Sequence, residues 1–115
     1  MTEFLAGSTP DGARAELLVS GEVDIAVADA LHDAALAALG PDLPGLVVDL
    51  SGLTFLDSTG IGALVRIRND VIAGGRTLTL ANPTARIVRI LDVTGLSTVF
   101  DIDPEYVSSA RTDRG

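Results

Sequence analysis

The chain contains no cysteine, no tryptophan and no lysine, and only three phenylalanines and one tyrosine occur among its 115 residues. Without cysteine it has no disulfide, no thiolate nucleophile and no sulfur ligand for a metal. Its eight basic residues, all arginine, face sixteen carboxylates, which gives a net charge of −8. Nucleic acid and anionic membranes are themselves negative, so this balance argues against both as partners. A basic protein surface fits the charge better.

Long apolar segments are also absent. The longest run without a charged residue, 77–85, has nine residues, whereas a membrane helix needs about twenty. The first residues lack the charged start and apolar stretch of a signal peptide, so we expect no membrane partner and a cytoplasmic location. Because 47% of the residues are hydrophobic, we expect one domain with an aliphatic core over residues 1–107 and a frayed tail over 108–115.

Strand-like and helix-like patterns alternate along the chain. The predicted strands are 3–8, 16–20, 46–50, 77–80 and 98–102, and the predicted helices are 25–39, 58–73 and 83–94. The first two strands are joined through a Pro-Asp-Gly turn, which predicts a hairpin. Helices between the later strands imply parallel crossover connections. The sequence therefore predicts an α/β fold, with a mixed, mostly parallel sheet, an antiparallel N-terminal strand and helices packed against the sheet.

The segment Asp-Ser-Thr-Gly-Ile-Gly, residues 57–62, joins an apolar strand-like run to an amphipathic helix-like run. Ser58 would therefore lie at a helix start, where the first N–H groups lack internal acceptors and the helix dipole adds positive charge. A phosphoryl group on Ser58 would be favourably placed there. The alternative is that Asp57 or Ser58 caps the helix, because both residue types are preferred N-caps.

Residues that could support catalysis or metal binding are sparse. The single histidine, His32, has no serine or cysteine linked to it in sequence, and Asp29 and Asp33 have the spacing of a solvated helix face. Neither a P-loop nor a complete dinucleotide-binding pattern is present. We expect no enzymatic activity, no metal site, no catalytic residue and no cofactor.

Asp49 follows an apolar strand-like run, which is where a phosphoaspartate receiver domain places its acceptor carboxylate. That chemistry also requires an acidic pair after the first strand and a late lysine, and this chain has no lysine. We therefore interpret Asp49 as a polar residue at a strand end that caps the following turn at Ser51 and Gly52.

Residues 46–64 are similar to the signature of STAS domains, specifically those of the anti-sigma factor antagonists. The match extends to Ser-Gly-Glu-Val-Asp at 20–24, Gly-Gly at 74–75, Asn-Pro at 82–83 and Leu-Asp-Val-Thr-Gly-Leu at 91–96. The resemblance therefore covers roughly residues 16–102. In that family an anti-sigma factor kinase phosphorylates the serine that directly follows the aspartate, and the dephosphorylated form binds the kinase and releases its sigma factor.

The resemblance implies that Ser58 is the phosphorylation site and that the partners are an anti-sigma factor serine kinase and a serine phosphatase. The implied partner-binding residues are Asp24, Asp57, Ser58, Thr59, Gly60, Ile61 and Gly62. Structural roles remain open for some of them: Asp24 as the N-cap of the first helix, Thr59 as a partner of a first-turn amide, and Gly60 and Gly62 as close-packing positions. A non-enzymatic subunit of a membrane transport system or a stress-signalling scaffold is the alternative function.

Overall fold

The computed structural model describes residues 1–108, which form one five-stranded sheet and three helices. The strands follow chain order across the sheet: β1 (Glu3–Ser8), β2 (Ala15–Val23), β3 (Gly45–Leu56), β4 (Thr77–Ala81) and β5 (Asp101–Asp103). The helices are α1 (Ala28–Leu39), α2 (Ser58–Ala73) and α3 (Ala85–Val93). Strand β1 is antiparallel to β2, and all other neighbours are parallel. The predicted fold class is confirmed.

The hydrophobic core lies between one face of the sheet and the helices. Alternate residues of β2, β3 and β4 point into it, as strand geometry requires, and they meet buried side chains of all three helices. Representative members are Leu17, Val48, Leu80, Leu31, Leu64 and Ile87, each at most 1% exposed. The burial of this aliphatic set compensates for the scarcity of aromatic residues.

Strand β3 has twelve residues and extends well beyond the predicted 46–50. It pairs with β4 only as far as Asp49, whereas its pairing with β2 continues to Leu56 opposite Val23. The second half of β3 and the end of β2 thus form a two-stranded extension past the rest of the sheet. Both connections that leave this extension, into α1 and into α2, carry predicted site residues.

Two boundaries near this extension differ from the sequence-based prediction. Strand β2 does not stop before Gly21 but runs to Val23, with a register shift next to Gly21, whose φ is 91°. Helix α1 begins at Ala28 rather than at residue 25, because the amides of Val27 and Ala28 both bond to the Asp24 carbonyl and make a turn first. The N-cap position of α1 is Val27, so the prediction that Asp24 caps this helix was wrong.

The C-terminal elements also differ in detail. The amides of Val99 and Phe100 bond to the Leu96 carbonyl in a turn, so the last strand starts only at Asp101 instead of residue 98. Ser108, the first residue of the predicted tail, is buried. The rest of that tail, 109–115, lies outside the described residues.

Candidate functional site

The candidate site lies where the two-stranded extension ends. The amide of Asp57 donates to the Val23 carbonyl at 3.2 Å, which fixes the start of α2 against the end of β2. This bond places the turn that begins at Asp24 beside residues 57–62. Two segments that are more than thirty positions apart in the sequence thus lie side by side.

Asp57 is the N-cap of α2. Its Oδ1 accepts the Gly60 amide at 3.0 Å and the Thr59 hydroxyl at 2.5 Å. The Thr59 hydroxyl, and after it the Gly60 amide, lower the pKa of Asp57 below the ordinary value of 3.8. The carboxylate is therefore ionised at neutral pH and already occupies the anion-binding position at this helix start. Of the two sequence alternatives, the capping role applies to Asp57.

Ser58 and Thr59 are adjacent hydroxyl residues in different environments. Ser58, the first residue of α2, is exposed, and its hydroxyl forms no hydrogen bond within residues 1–108. Thr59 is half-buried, and its hydroxyl donates to Asp57 rather than accepting from a first-turn amide. Of these two hydroxyls, only that of Ser58 is exposed and without a hydrogen bond within residues 1–108.

The two glycines of the segment have different surroundings. A Cβ at Gly60 would overlap the Leu56 side chain and lie 3.0 Å from the Val23 carbonyl oxygen. Gly60 is buried and serves the close packing of α2 on the sheet. Around Gly62 no atom lies within 4 Å of such a Cβ, so packing inside the chain does not require glycine at that position.

The turn between β2 and α1 contributes Asp24, which is exposed and whose Oδ1 accepts the Ala26 amide at 2.9 Å. Ile61 is half-buried and packs against the core. Sequence reasoning missed two exposed apolar side chains beside these residues: Ile25 is 77% exposed and Phe55 is 43% exposed. Ile25 was predicted as the first residue of the helix 25–39, and Phe55 lies in the part of β3 that was not predicted as strand.

The other residues considered for catalysis or metal binding form contacts between two helices. The His32 ring lies 2.6 Å from Asp70 and 3.3 Å from Asp33, and Asp29 pairs with Arg66, so these groups link α1 to α2. Within residues 1–108 no group of three or more histidine or acidic side chains could hold a metal ion. No helix in this part of the chain is long and apolar enough to cross a membrane.

Asp49 does not end a strand, contrary to the prediction. It lies inside β3, is 1% exposed, and its Oδ1 accepts the Ser51 amide at 2.9 Å. Asn82 lies at 3.5 Å from its other carboxylate oxygen. The β3 pairing with β2 continues past Asp49, which is why no turn begins there.

Comparison with known proteins gives a match of the STAS domain model to residues 10–109. The chain belongs to the STAS family. This STAS domain is 36% identical, over 86 residues, to the anti-sigma-B factor antagonist of Bacillus subtilis (strain 168), an alignment that covers 73% of this chain and 76% of the relative. The resemblance found in the sequence is confirmed.

Solved structures agree with this placement. An anti-sigma factor antagonist from Mycobacterium paratuberculosis has a TM-score of 0.72 and 30% identity, covering 90% of this chain and 86% of the other. The Bacillus cell fate determinant SpoIIAA in its phosphorylated form has a TM-score of 0.66 and 18% identity, covering 97% and 98% of the two chains. At that identity the likeness to SpoIIAA concerns the fold alone.

Proposed function

We propose that this STAS domain is a non-enzymatic anti-sigma factor antagonist controlled at Ser58. Its unphosphorylated form binds an anti-sigma factor that is also a serine kinase, and the bound sigma factor is released. Phosphorylation of Ser58 abolishes the binding, and a serine phosphatase restores it. The observation that carries the proposal is the exposed Ser58 hydroxyl next to a carboxylate that already occupies the helix start.

Electrostatics supply the physical basis of the switch. A phosphoryl group adds about −1.5 to −2 charges. At this site the Gly60 amide, which could donate a hydrogen bond to the phosphoryl group, already donates to Asp57. Within residues 1–108 no basic side chain forms an ion pair with Asp57 or Asp24. A buried like-charge contact in a complex costs on the order of 2 to 5 kcal/mol. Since about 1.4 kcal/mol is a tenfold change in affinity, the modification reduces binding by at least a factor of ten.

The relatives support the regulatory part of the proposal. The Bacillus subtilis relative and the Mycobacterium paratuberculosis structure both carry the name anti-sigma factor antagonist. SpoIIAA has been solved in a phosphorylated form, so this fold accommodates a phosphoryl group. The proposed partner is thus an anti-sigma factor, in the cytoplasm, and neither nucleic acid nor membrane is proposed as a partner.

The proposed docking surface consists of the exposed and half-buried residues around the modification site. These are Asp24, Asp57, Ser58, Thr59, Ile61 and Gly62. Gly60, which the resemblance also placed in the partner-binding set, is buried under this surface and supports it by close packing. The space around Gly62 leaves room for a partner to approach the α2 backbone closely.

The proposal is tested by measuring affinity for each purified anti-sigma factor kinase of the native cell by calorimetry. Ser58→Ala is expected to bind at least as tightly as the natural chain and to resist inactivation by kinase and ATP. Ser58→Glu is expected to bind at least tenfold more weakly with an unchanged melting temperature, because the Ser58 hydroxyl has no hydrogen-bond partner within residues 1–108. Binding that neither substitution nor ATP changes would contradict the proposal and support a transport-subunit or scaffold role.

A further inference from the structure

We propose that strand β1 is a self-association edge, through which two copies of this chain pair antiparallel about a two-fold axis at Leu5. The proposal is independent of the antagonist function and adds an interaction surface to it. Strand β1 is the first strand in the sheet order and pairs with β2 alone within residues 1–108. Five of its six residues are exposed, Phe4 being the exception. One side of its backbone is therefore open to another strand.

The two edges of the sheet differ in how well they are protected from such pairing. At the other edge, β5 has only three residues, and two of them, Asp101 and Asp103, are acidic. Short, charged strands are a common protection against edge-to-edge pairing. Strand β1 has twice that length, carries its single charge at Glu3 and contains no proline. Of the two edges, β1 is the one that can accept another strand.

The residues of β1 alternate between the two faces of the sheet. Phe4 packs against the core, so Leu5 points to the face opposite the helices, where 61% of its surface is exposed. Ala6 and Ser8 lie on the same face as Phe4, yet they are also exposed, so the helices do not cover the second half of the strand. The accessible backbone therefore has a large exposed apolar side chain beside it.

The residue pattern of β1 is complementary to itself. Two edge strands related by a two-fold axis run antiparallel and keep the helices of both copies on the same side, so residues of the same face must lie opposite each other. A register centred on Leu5 meets this condition. It places Leu5 opposite Leu5, Phe4 opposite Ala6, and Glu3 opposite Gly7 of the second copy. The exposed leucines then cover each other and no like charges face each other, which favours a second copy as the occupant of this edge.

The size and direction of the pairing determine how the dimer behaves. A contact of about six residues a side is far smaller than a standard interface of roughly 20 to 30 residues a side, so we expect the dimer to be in equilibrium with monomers. Strand β2 is antiparallel to β1 in each copy, so the β2 strands of the two copies run in opposite directions. The two docking surfaces, which lie where β2 and β3 end, therefore point to opposite ends of the dimer, and Ser58→Glu should leave self-association unchanged.

The test is sedimentation equilibrium of the full chain at concentrations up to about 1 mM. We expect the natural chain to form a dimer as its concentration rises. Leu5→Lys and Leu5→Glu should each dimerise about tenfold or more weakly, because like charges then lie opposite each other, although the two substitutions change the net charge in opposite directions. An equimolar mixture of the two variants should regain the dimer, because lysine then lies opposite glutamate.

Val93→Lys and Val93→Glu are the matched controls, because Val93 is 81% exposed at the end of α3 and these substitutions change the net charge in the same way. Both should dimerise like the natural chain. A natural chain that stays monomeric at every concentration would overturn the proposal, as would Leu5 variants that dimerise like the natural chain. Equal losses in the Val93 variants, or a mixture of Leu5 variants that stays monomeric, would overturn the assignment of the contact to Leu5. None of these outcomes depends on the Ser58 switch, whose variants test the proposed function separately.

Discussion

At the scale of single residues, Asp57 organises the site because one carboxylate oxygen serves both the Gly60 amide and the Thr59 hydroxyl. Sequence reasoning could place a cap here, since Asp before an amphipathic run is a helix-start signal. It could not assign the two neighbouring hydroxyls. Only the structure shows that Thr59 is bonded to the cap, whereas Ser58 is exposed.

The charge of this cap makes a pH-dependent prediction. Since the pKa of Asp57 is below 3.8 in the folded chain, its ionised form stabilises the fold at neutral pH, and that contribution is lost as pH falls through the lowered value. Asp57→Asn keeps the acceptor oxygen but removes the charge. We expect the melting temperatures of the two proteins to converge below pH 3.8 and the natural chain to be more stable at pH 7. A difference independent of pH would contradict this role.

Gly60 and Gly62 provide a matched pair of substitutions two positions apart. Gly60→Ala forces a Cβ against Leu56 and the Val23 carbonyl, and such overpacking costs about 1 to 3 kcal/mol. Gly62→Ala has open space, and alanine in a helix is favoured over glycine by up to about 1 kcal/mol. Denaturant unfolding should therefore shift in opposite directions. Equal destabilisation by both would contradict the packing role of Gly60.

At the scale of elements, predictions succeeded where local signals coincide with tertiary structure. Helix α2 begins after its Asp57 cap and ends before Gly74, as the capping and glycine signals predict. The prediction for strand β3 was too short, because the second half of this strand pairs with β2 alone. Ile72 has the apolar helical spacing expected of a buried face in the predicted helix 58–73, yet it is 47% exposed. The spacing of apolar residues predicts which face of a helix packs on the sheet. It does not predict where the sheet under that face ends.

The β2–β3 extension depends on Gly21, whose φ of 91° disfavours other residues. A Cβ there would also overlap the backbone of Met1 and Thr2. We expect Gly21→Ala to lower the free energy of unfolding by about 1 to 3 kcal/mol and to weaken partner binding by displacing the Asp24 turn. Gly7→Ala, in β1 with nothing within 4 Å, is the control, and an equal effect there would contradict the account.

At the scale of the whole molecule, the C-terminal segment is fastened to the sheet face opposite the helices. Tyr106 donates its hydroxyl to Glu16 at 2.5 Å, and Asn82 donates to the Tyr106 carbonyl at 2.6 Å. Burial, and after it the Glu16 hydrogen bond, raises the pKa of Tyr106, so the phenol stays protonated and keeps donating. No local sequence signal predicts this link, because Tyr106 and Glu16 are ninety positions apart.

Tyr106→Phe tests how much the hydrogen bond between Tyr106 and Glu16 stabilises the fold. Glu16 is fully buried, and removing one of its hydrogen-bond partners costs about 1 to 3 kcal/mol. We expect a corresponding loss in the free energy of unfolding, measured with denaturant, and no change in affinity for the anti-sigma factor, because the link is on the other side of the sheet from the helices. Val107→Ala, at a residue that is 53% exposed, should have little effect on either quantity.

The central claim is most directly tested by locating phosphate on the protein isolated from its native cells. A protease that cuts after acidic residues releases residues 58–70 as one fragment, and fragmentation of that peptide by mass spectrometry distinguishes the two adjacent hydroxyls. The account predicts phosphate on Ser58, none on Thr59, and an occupancy that changes with growth condition. Phosphate on Thr59 alone, or an unmodified Ser58 under every growth condition tested, would contradict it.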